Sequence, residues 1–196
     1  MKLLRNLIRW ISVSTAAALL PAADLPRPTP NTVFRLAEGG AVDLSQYKGK
    51  VVALEFLLTT CSHCQRTARA LGKMNEEYGA KGFQPLGVAT NEMAHMFTRD
   101  FVREQHLTFP VAYTDRDTCL AFLQHPSMLI MYFPQLVFID KKGMIRSQYA
   151  GGDKFFSEPQ EQNMRVEIEK LLKEGLAPPV RPSTSAPKKA PPKKAG

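Results

Sequence analysis

Two cysteines separated by two residues, Cys61 and Cys64, are the groups in this sequence best suited to chemistry. Disulfide exchange needs a thiolate that attacks, a second thiol near enough to displace the mixed disulfide, and surroundings that stabilise the thiolate. A CxxC pair at the start of a helix supplies all three, because the helix dipole and unpaired backbone N–H groups favour negative charge there. The pattern predicts that Cys61 is exposed and attacks, and that Cys64 lies one turn inward and acts second.

Two other residues bear on this thiol chemistry. His63 adds a titratable positive charge between the two cysteines, so we expect it to tune the acidity of the motif and to favour an oxidising disulfide. Cys119 lies beside Leu120 and Phe122 in a predicted short helix, where the favoured interpretation is a small buried residue. A resolving or regulatory thiol is the alternative for Cys119.

The same cysteine pair has other uses in proteins. A tetrahedral zinc site would need a second Cys/His pair, which this chain lacks. A haem attachment motif would need histidine directly after the second cysteine, where Gln65 stands. A static disulfide stays open, as does a copper or zinc carrier that uses Cys61, Cys64 and a distant histidine such as His125.

A continuous apolar segment, residues 51–58, precedes the motif and is interrupted only by Glu55. Such a run is typical of a central strand covered on both faces. A carboxyl buried there has a raised pKa, which suits proton exchange near neutrality. The alternative is a carboxylate that points to solvent, because the apolar run does not show which face Glu55 occupies.

Hydrophobic periodicity predicts a βαβαβ order followed by an antiparallel hairpin and a last helix. The predicted elements are a hairpin of 33–36 and 41–44, strand 51–58, helix 62–78, strand 83–89, helix 92–105, strand 109–113, helix 116–124, strands 135–139 and 144–149, and a final helix that buries Met164, Ile168, Leu171 and Leu172.

The second predicted helix, 92–105, is rich in methionine and aromatic residues. Its spacing predicts that Met93, Met96, Phe97 and Phe101 face the core. Met93 and Met96 could instead join His95 as copper ligands. Helix-spaced methionines are more often core residues, so we favour the first interpretation.

The net charge of +8 resides at the two ends of the sequence. Removing three basic residues before position 10 and five after position 180 from the total of 26 leaves 18, against 18 acidic residues in the same central region. A formally neutral folded part argues against nucleic-acid binding, which needs a basic patch on the ordered surface.

The two ends also define the predicted domain organisation. Residues 1–23 have the basic, apolar and small-residue layout of a signal peptide, and their apolar run is shorter than the ~20 residues of a membrane span, so an anchor is less favoured. We therefore expect a periplasmic or secreted protein with an extended lead-in at 24–31, one domain at 32–176, and a disordered Pro/Lys-rich tail at 177–196. The tail's lysines could contact envelope surfaces weakly.

The ordered combination of a buried strand with an acid, CxxC, a helix, and later Phe133-Pro134-Gln135 before a hairpin resembles the thioredoxin superfamily. Exported TlpA-type and redoxin-like members are the most similar. The resemblance covers about 32–176 and implies an α/β thioredoxin-like fold: a central mixed sheet flanked by helices, with an N-terminal hairpin and an inserted strand and helix.

The resemblance also implies roles for particular residues. Pro134 matches a cis proline that shapes the substrate groove, where Phe133 and Thr60 would also contact substrate. Glu55 matches an acid that accepts the inner cysteine's proton through water. The sequence departs from the family at Thr59-Thr60, where an aromatic residue is common, and in having Ser-His between the cysteines, which leaves substrate and redox potential undefined.

The function implied is a thiol–disulfide oxidoreductase that exchanges disulfides with protein substrates and an unidentified redox partner. We expect a monomer that needs no cofactor and no metal. A redoxin-type thiol peroxidase is the alternative, with Cys61 attacking peroxide. The peroxidatic P-x3-T-x2-C signature is absent, however, because Leu54 and Leu58 occupy its Pro and Thr positions.

Overall fold

The computed structural model describes residues 24–157 and 159–174, which form one mixed sheet flanked by four helices. The strands are β1 (Arg27–Pro28), β2 (Val33–Arg35), β3 (Ala41–Asp43), β4 (Val51–Leu57), β5 (Phe83–Ala89), β6 (Val111–Tyr113), β7 (Gln135–Ile139) and β8 (Met144–Ala150). The helices are α1 (Ser62–Tyr78), α2 (Ala94–Glu104), α3 (Arg116–Leu123) and α4 (Gln160–Glu174).

The eight strands lie in the order β1-β8-β7-β4-β5-β6-β2-β3. β4, β5 and β6 are parallel, and β7 and β8 add an antiparallel hairpin on the other side of β4. The predicted hairpin β2–β3 closes one edge. At the other edge the lead-in is more ordered than the sequence indicated, because β1 pairs with β8.

β4 is buried on both faces, as its apolar run predicted. Val51, Ala53 and Leu57 pack in the core beneath α1 and α4. Val52, Leu54 and Phe56 pack in a second core that contains Cys119 and Phe122 of α3. Because side chains alternate along a strand, Glu55 belongs to the α1 face.

α1 and α4 pack side by side on that face. α1 buries one side that includes Cys64, Ala68, Leu71 and Met74. A buried hydrogen bond of 2.7 Å, from Gln160 Nε2 to Thr67 Oγ1, joins the two helices near their N-termini. The helix that begins at the cysteine motif is therefore fixed both to the sheet and to its neighbour.

The prediction that Met93, Met96 and Phe97 face the core is wrong. α2 begins only at Ala94, after Met93 adopts a left-handed backbone conformation with φ 54°. The buried side of α2 consists of Ala94, Thr98 and Phe101, spaced by four and three residues, so Met96 and Phe97 lie on its exposed side.

The predicted signal peptide at 1–23 and the tail at 177–196 lie outside the described residues, as do the last two residues of the predicted domain, 175–176. Within the described ranges, no helix combines the length and apolar character needed to cross a membrane.

Close backbone contact at Gly151 makes this residue sensitive to substitution. A Cβ atom there would overlap the backbone of Phe133, whereas a Cβ at the neighbouring Gly152 meets no atom within 4 Å. We expect Gly151→Ala to lower the free energy of unfolding by about 1 to 3 kcal/mol through overpacking. Chemical denaturation measures this change, with Gly152→Ala as the matched control. Equal stabilities of the two variants would contradict the prediction.

Candidate active site

Cys61 lies where β4 passes into α1 and serves as the N-cap of the helix. Its Sγ accepts a hydrogen bond from the Cys64 N–H at 3.4 Å, and its carbonyl accepts one from the Gln65 N–H at 3.0 Å. The side chain is partly exposed. The Cys61 sulfur thus lies at the positive end of the helix dipole and remains partly open to solvent.

Cys64 lies one helical turn further in and is completely buried. Burial raises the pKa of its thiol, and the nearby charge of Glu55 and a hydrogen bond with Cys61 add to the effect. Cys64 therefore keeps its proton until a base removes it. The order in which Cys61 acts first and Cys64 second stays a prediction.

Glu55 is fully buried, and its two carboxyl oxygens have no hydrogen-bond partner among the described residues. Burial, and to a smaller extent the charge of Cys61, raises the pKa of Glu55 well above its ordinary value. The structure rejects the alternative of a solvent-facing carboxylate. It brings Glu55 beneath α1, close enough to Cys64 for each to influence the other electrostatically.

His63 and Thr60 are both exposed beside Cys61. His63 Nδ1 lies 2.9 Å from Arg66 Nη2. Since a guanidinium can only donate, Nδ1 is the acceptor in this contact. Arg66, which the sequence analysis did not single out, therefore places a positive charge next to His63.

Pro134 lies at the end of β4 from which Cys61 departs. It precedes Gln135, whose register partner in β4 is Phe56, and the Phe133–Pro134 peptide bond is cis. Gln135 Nε2 donates a hydrogen bond of 2.7 Å to the Tyr132 carbonyl, which links the two ends of the segment 132–135. Phe133 is half-buried and packs against both cores.

Asn91 and Gln65 support the backbone before Cys61, and sequence reasoning missed both. The Asn91 side-chain oxygen accepts hydrogen bonds from the Thr59 N–H at 3.1 Å and the Thr59 hydroxyl at 3.3 Å. Gln65 Nε2 donates to the Thr59 carbonyl at 3.1 Å. No local sequence signal distinguishes these two amides from ordinary loop and helix residues.

Cys119 and His125 lie away from this site. Cys119 is buried in the second core, on the opposite face of the sheet, and burial raises its pKa to about 12. This confirms it as a small buried residue. His125 Nδ1 contacts the Pro126 carbonyl oxygen at 3.0 Å. Among the described residues, no three His, Cys, Asp or Glu side chains form a group that could hold a metal.

Comparison with known proteins identifies the family. The family model described as Redoxin matches residues 26–163, and the chain belongs to this family. The thiol-disulfide oxidoreductase ResA of Bacillus thuringiensis subsp. konkukian is 29% identical over 89 residues, covering 45% of this chain and 51% of that protein. ResA of Bacillus anthracis is 26% identical over 125 residues, covering 64% of this chain and 69% of that protein. The chain thus spans about half the length of the first of these relatives.

A solved structure confirms the fold. The thiol:disulfide interchange protein of Chlorobium tepidum, a thioredoxin family protein, superposes with a TM-score of 0.63 at 20% identity, covering 77% of this chain and 99% of that one. The predicted thioredoxin-like α/β fold is therefore correct.

The buried Glu55 carboxyl predicts a pH dependence of stability. Its folded pKa is raised above the ordinary 4.5, so the folded chain keeps this proton where the unfolded chain has lost it. The free energy of unfolding then falls as pH rises above that value, by up to about 1.4 kcal/mol per pH unit. Glu55→Gln removes this contribution, so stability should decline less steeply in denaturation experiments between pH 5 and 7.

Glu76→Gln is the control for this experiment, because Glu76 is exposed on α1. It should keep the wild-type slope. If Glu55→Gln also keeps it, Glu55 does not titrate above its ordinary range.

Proposed function

We propose that this protein is a thiol–disulfide oxidoreductase that acts on protein substrates through Cys61 and Cys64. The observation that carries the proposal is the pairing of a partly exposed cysteine at a helix N-terminus with a buried cysteine one turn behind it, above a buried carboxyl. The names of the ResA relatives support the same activity.

In the reducing direction, the Cys61 thiolate attacks one sulfur of the substrate disulfide. A mixed disulfide forms, and the other substrate sulfur leaves and takes up a proton. Cys64 then loses its proton and attacks the Cys61 sulfur, which releases the second substrate thiol. The product is a Cys61–Cys64 disulfide, and two electrons have passed to the substrate. The reverse sequence oxidises a dithiol.

Glu55 is the base that we assign to Cys64. A buried carboxylate with a raised pKa holds a proton more strongly than an exposed one, so its proton affinity is closer to that of a thiolate. It lies beneath the helix turn that carries Cys64, on the face of β4 to which Cys64 points. Arg66 supplies positive charge at the exposed side of the motif, where its guanidinium donates to His63 Nδ1.

A surface of exposed apolar side chains favours proteins as substrates over small disulfides. It consists of Met128, Leu129, Ile130 and Tyr132, and it directly precedes Phe133 and Pro134. Exposed apolar groups on this scale mark interaction sites, and methionine adapts to varied partners. A polypeptide held along Pro134 and Thr60 would also cover this surface.

We also propose that residues 1–23 direct export, so that the protein works in the periplasm or outside the cell. Their basic, apolar and small-residue order supports this. Fractionation of cells that express the full chain, or the chain without these residues, tests it. Retention of the full chain in the cytoplasm would contradict it.

Substitution of Cys61 and substitution of Cys64 should have different effects on the mixed-disulfide intermediate. With a protein disulfide, Cys64→Ser should accumulate a mixed disulfide at Cys61, because the displacing thiol is lost. Cys61→Ser should reduce the rate of exchange to the uncatalysed level. Mass measurement after acid quenching detects the adduct, and Cys119→Ala, on the opposite face, should behave as wild type. An adduct on Cys64 in place of Cys61 would reverse the assigned roles.

A thiol peroxidase is the competing function. Kinetic measurements on the purified protein distinguish it from a thiol–disulfide oxidoreductase. Stopped-flow measurement of Cys61 oxidation by hydrogen peroxide and by a protein disulfide gives the two second-order rate constants. The proposal requires the disulfide to react faster. A larger rate constant for peroxide would assign the protein to the thiol peroxidases.

The apolar surface should affect protein substrates alone. Met128→Ser combined with Ile130→Ser should raise KM for a protein disulfide about 10-fold, since each exposed side chain contributes part of the ~1.5 to 3 kcal/mol of full burial. The rate with oxidised glutathione should not change. Val166→Ser, at another exposed apolar residue, on α4, is the control. Equal losses with both substrates would place the defect in the cysteine site itself.

A further inference from the structure

Thr59 lies in the turn that carries the chain from β4 to Cys61. The Leu58 carbonyl accepts a hydrogen bond of 3.0 Å from the Cys61 N–H, so Thr59 and Thr60 are the central residues of a four-residue turn. Thr60 is exposed, whereas only 8% of the Thr59 surface is accessible. The Thr59 N–H and carbonyl take no part in the hydrogen bond of the turn, and buried backbone groups of this kind need other partners.

Two side-chain amides supply these partners from different elements. Asn91, which follows β5, accepts hydrogen bonds through Oδ1 from the Thr59 N–H at 3.1 Å and from the Thr59 hydroxyl at 3.3 Å. Gln65, near the start of α1, donates through Nε2 to the Thr59 carbonyl at 3.1 Å. Each polar group of Thr59 is therefore held by one of these two residues, and we call Asn91 and Gln65 the Thr59 clamp.

The Asn91 side of the clamp is fixed by the pairing of β4 with β5. The Thr90 N–H donates to the Leu57 carbonyl at 2.9 Å, so the end of β5 is joined to the end of β4 one residue before Asn91. Asn91 Nδ2 donates to the Glu92 carbonyl at 3.2 Å, which orients Oδ1 toward Thr59. Since an amide oxygen can only accept, Asn91 acts in the clamp as an acceptor for two donors.

The Gln65 side of the clamp connects Thr59 to Cys61. The Gln65 N–H donates to the Cys61 carbonyl at 3.0 Å, while its side chain donates to the Thr59 carbonyl. One residue thus holds the carbonyls on either side of Thr60. The conformation of the chain from Thr59 to Cys61 is therefore tied to the first turn of α1.

The conformation of this turn decides where the Cys61 sulfur lies. Cys61 is the N-cap of α1, and its Sγ accepts a hydrogen bond from the Cys64 N–H at 3.4 Å. At this position the helix dipole and the N–H group stabilise a thiolate. A turn that could relax would let Sγ leave the N-cap position. Because the thiolate belongs to the reduced pair, a stable thiolate makes the disulfide a stronger oxidant.

We propose that Asn91 and Gln65 are positioning residues for disulfide exchange. Through Thr59 they keep the Cys61 sulfur at the N-cap of α1 and thereby shift the Cys61–Cys64 pair toward its dithiol form. This role rests on the proposed oxidoreductase function, and both amides act through the backbone of Thr59. In the equilibrium that measures it, two glutathione thiols reduce the Cys61–Cys64 disulfide, and the products are the protein dithiol and oxidised glutathione.

The glutathione equilibrium of full-chain variants tests this role. Each protein is equilibrated with mixtures of reduced and oxidised glutathione, quenched with acid and alkylated, and its mass is measured. Gln65→Met removes the donor and Asn91→Leu removes the acceptor, both with little change in volume and none in charge. Each should lower the equilibrium constant for reduction of the disulfide on the order of 5-fold, because the thiolate loses stabilisation at the helix N-terminus.

Thr59 variants test whether the effect passes through the hydrogen bonds of the clamp. Thr59→Val removes only the hydroxyl donor and should lower the equilibrium constant by a smaller factor. Thr59→Ser keeps the hydroxyl and should retain the wild-type constant. In the Asn91→Leu background, Thr59→Val should lower the constant no further, because the acceptor of the hydroxyl is already absent. Additive losses in that double variant would overturn the assignment of Asn91.

Gln162→Met is the matched control, because Gln162 is exposed on α4, and it should keep the wild-type constant. Chemical denaturation of each variant separates positioning from packing. If Gln65→Met and Asn91→Leu lower the free energy of unfolding but keep the wild-type glutathione constant, the two amides are only structural, and the positioning role alone is overturned. A wild-type protein that forms no Cys61–Cys64 disulfide in any glutathione mixture would overturn the oxidoreductase function as well.

Discussion

The candidate site depends on the passage from β4 into α1. β4 is buried on both faces, so its path is fixed by packing, and the next residues must begin a helix directly above it. Cys61 therefore caps the helix at the surface, and Cys64 turns back into the core. The connection from β4 to α1 thus leaves the Cys61 thiol accessible and shields the Cys64 thiol from solvent.

The connection from β4 to α1 also explains why the protein can keep the Glu55 carboxyl in its core. The Glu55 carboxyl oxygens have no hydrogen-bond partner among the described residues, and a group buried in this way opposes folding once it ionises. Its neighbours on the α1 face include Cys64, the thiol that must lose a proton. A buried carboxyl without a hydrogen-bond partner is unfavourable for stability, but it lies where the proposed chemistry requires it. Such exceptions are common at functional sites.

The sequence by itself determined the cysteine motif, the helix that it begins, and the order of the elements, because these follow from local spacing and periodicity. Only the tertiary structure decided that Glu55 faces α1, since a strand covered on both sides has no polar face to reveal its orientation. It likewise turned Met96 and Phe97 outward, because Ala94, Thr98 and Phe101 form the buried side of α2. The Asn91 support of Thr59 spans 32 residues and depends on how β4 and β5 pair, which local sequence does not encode.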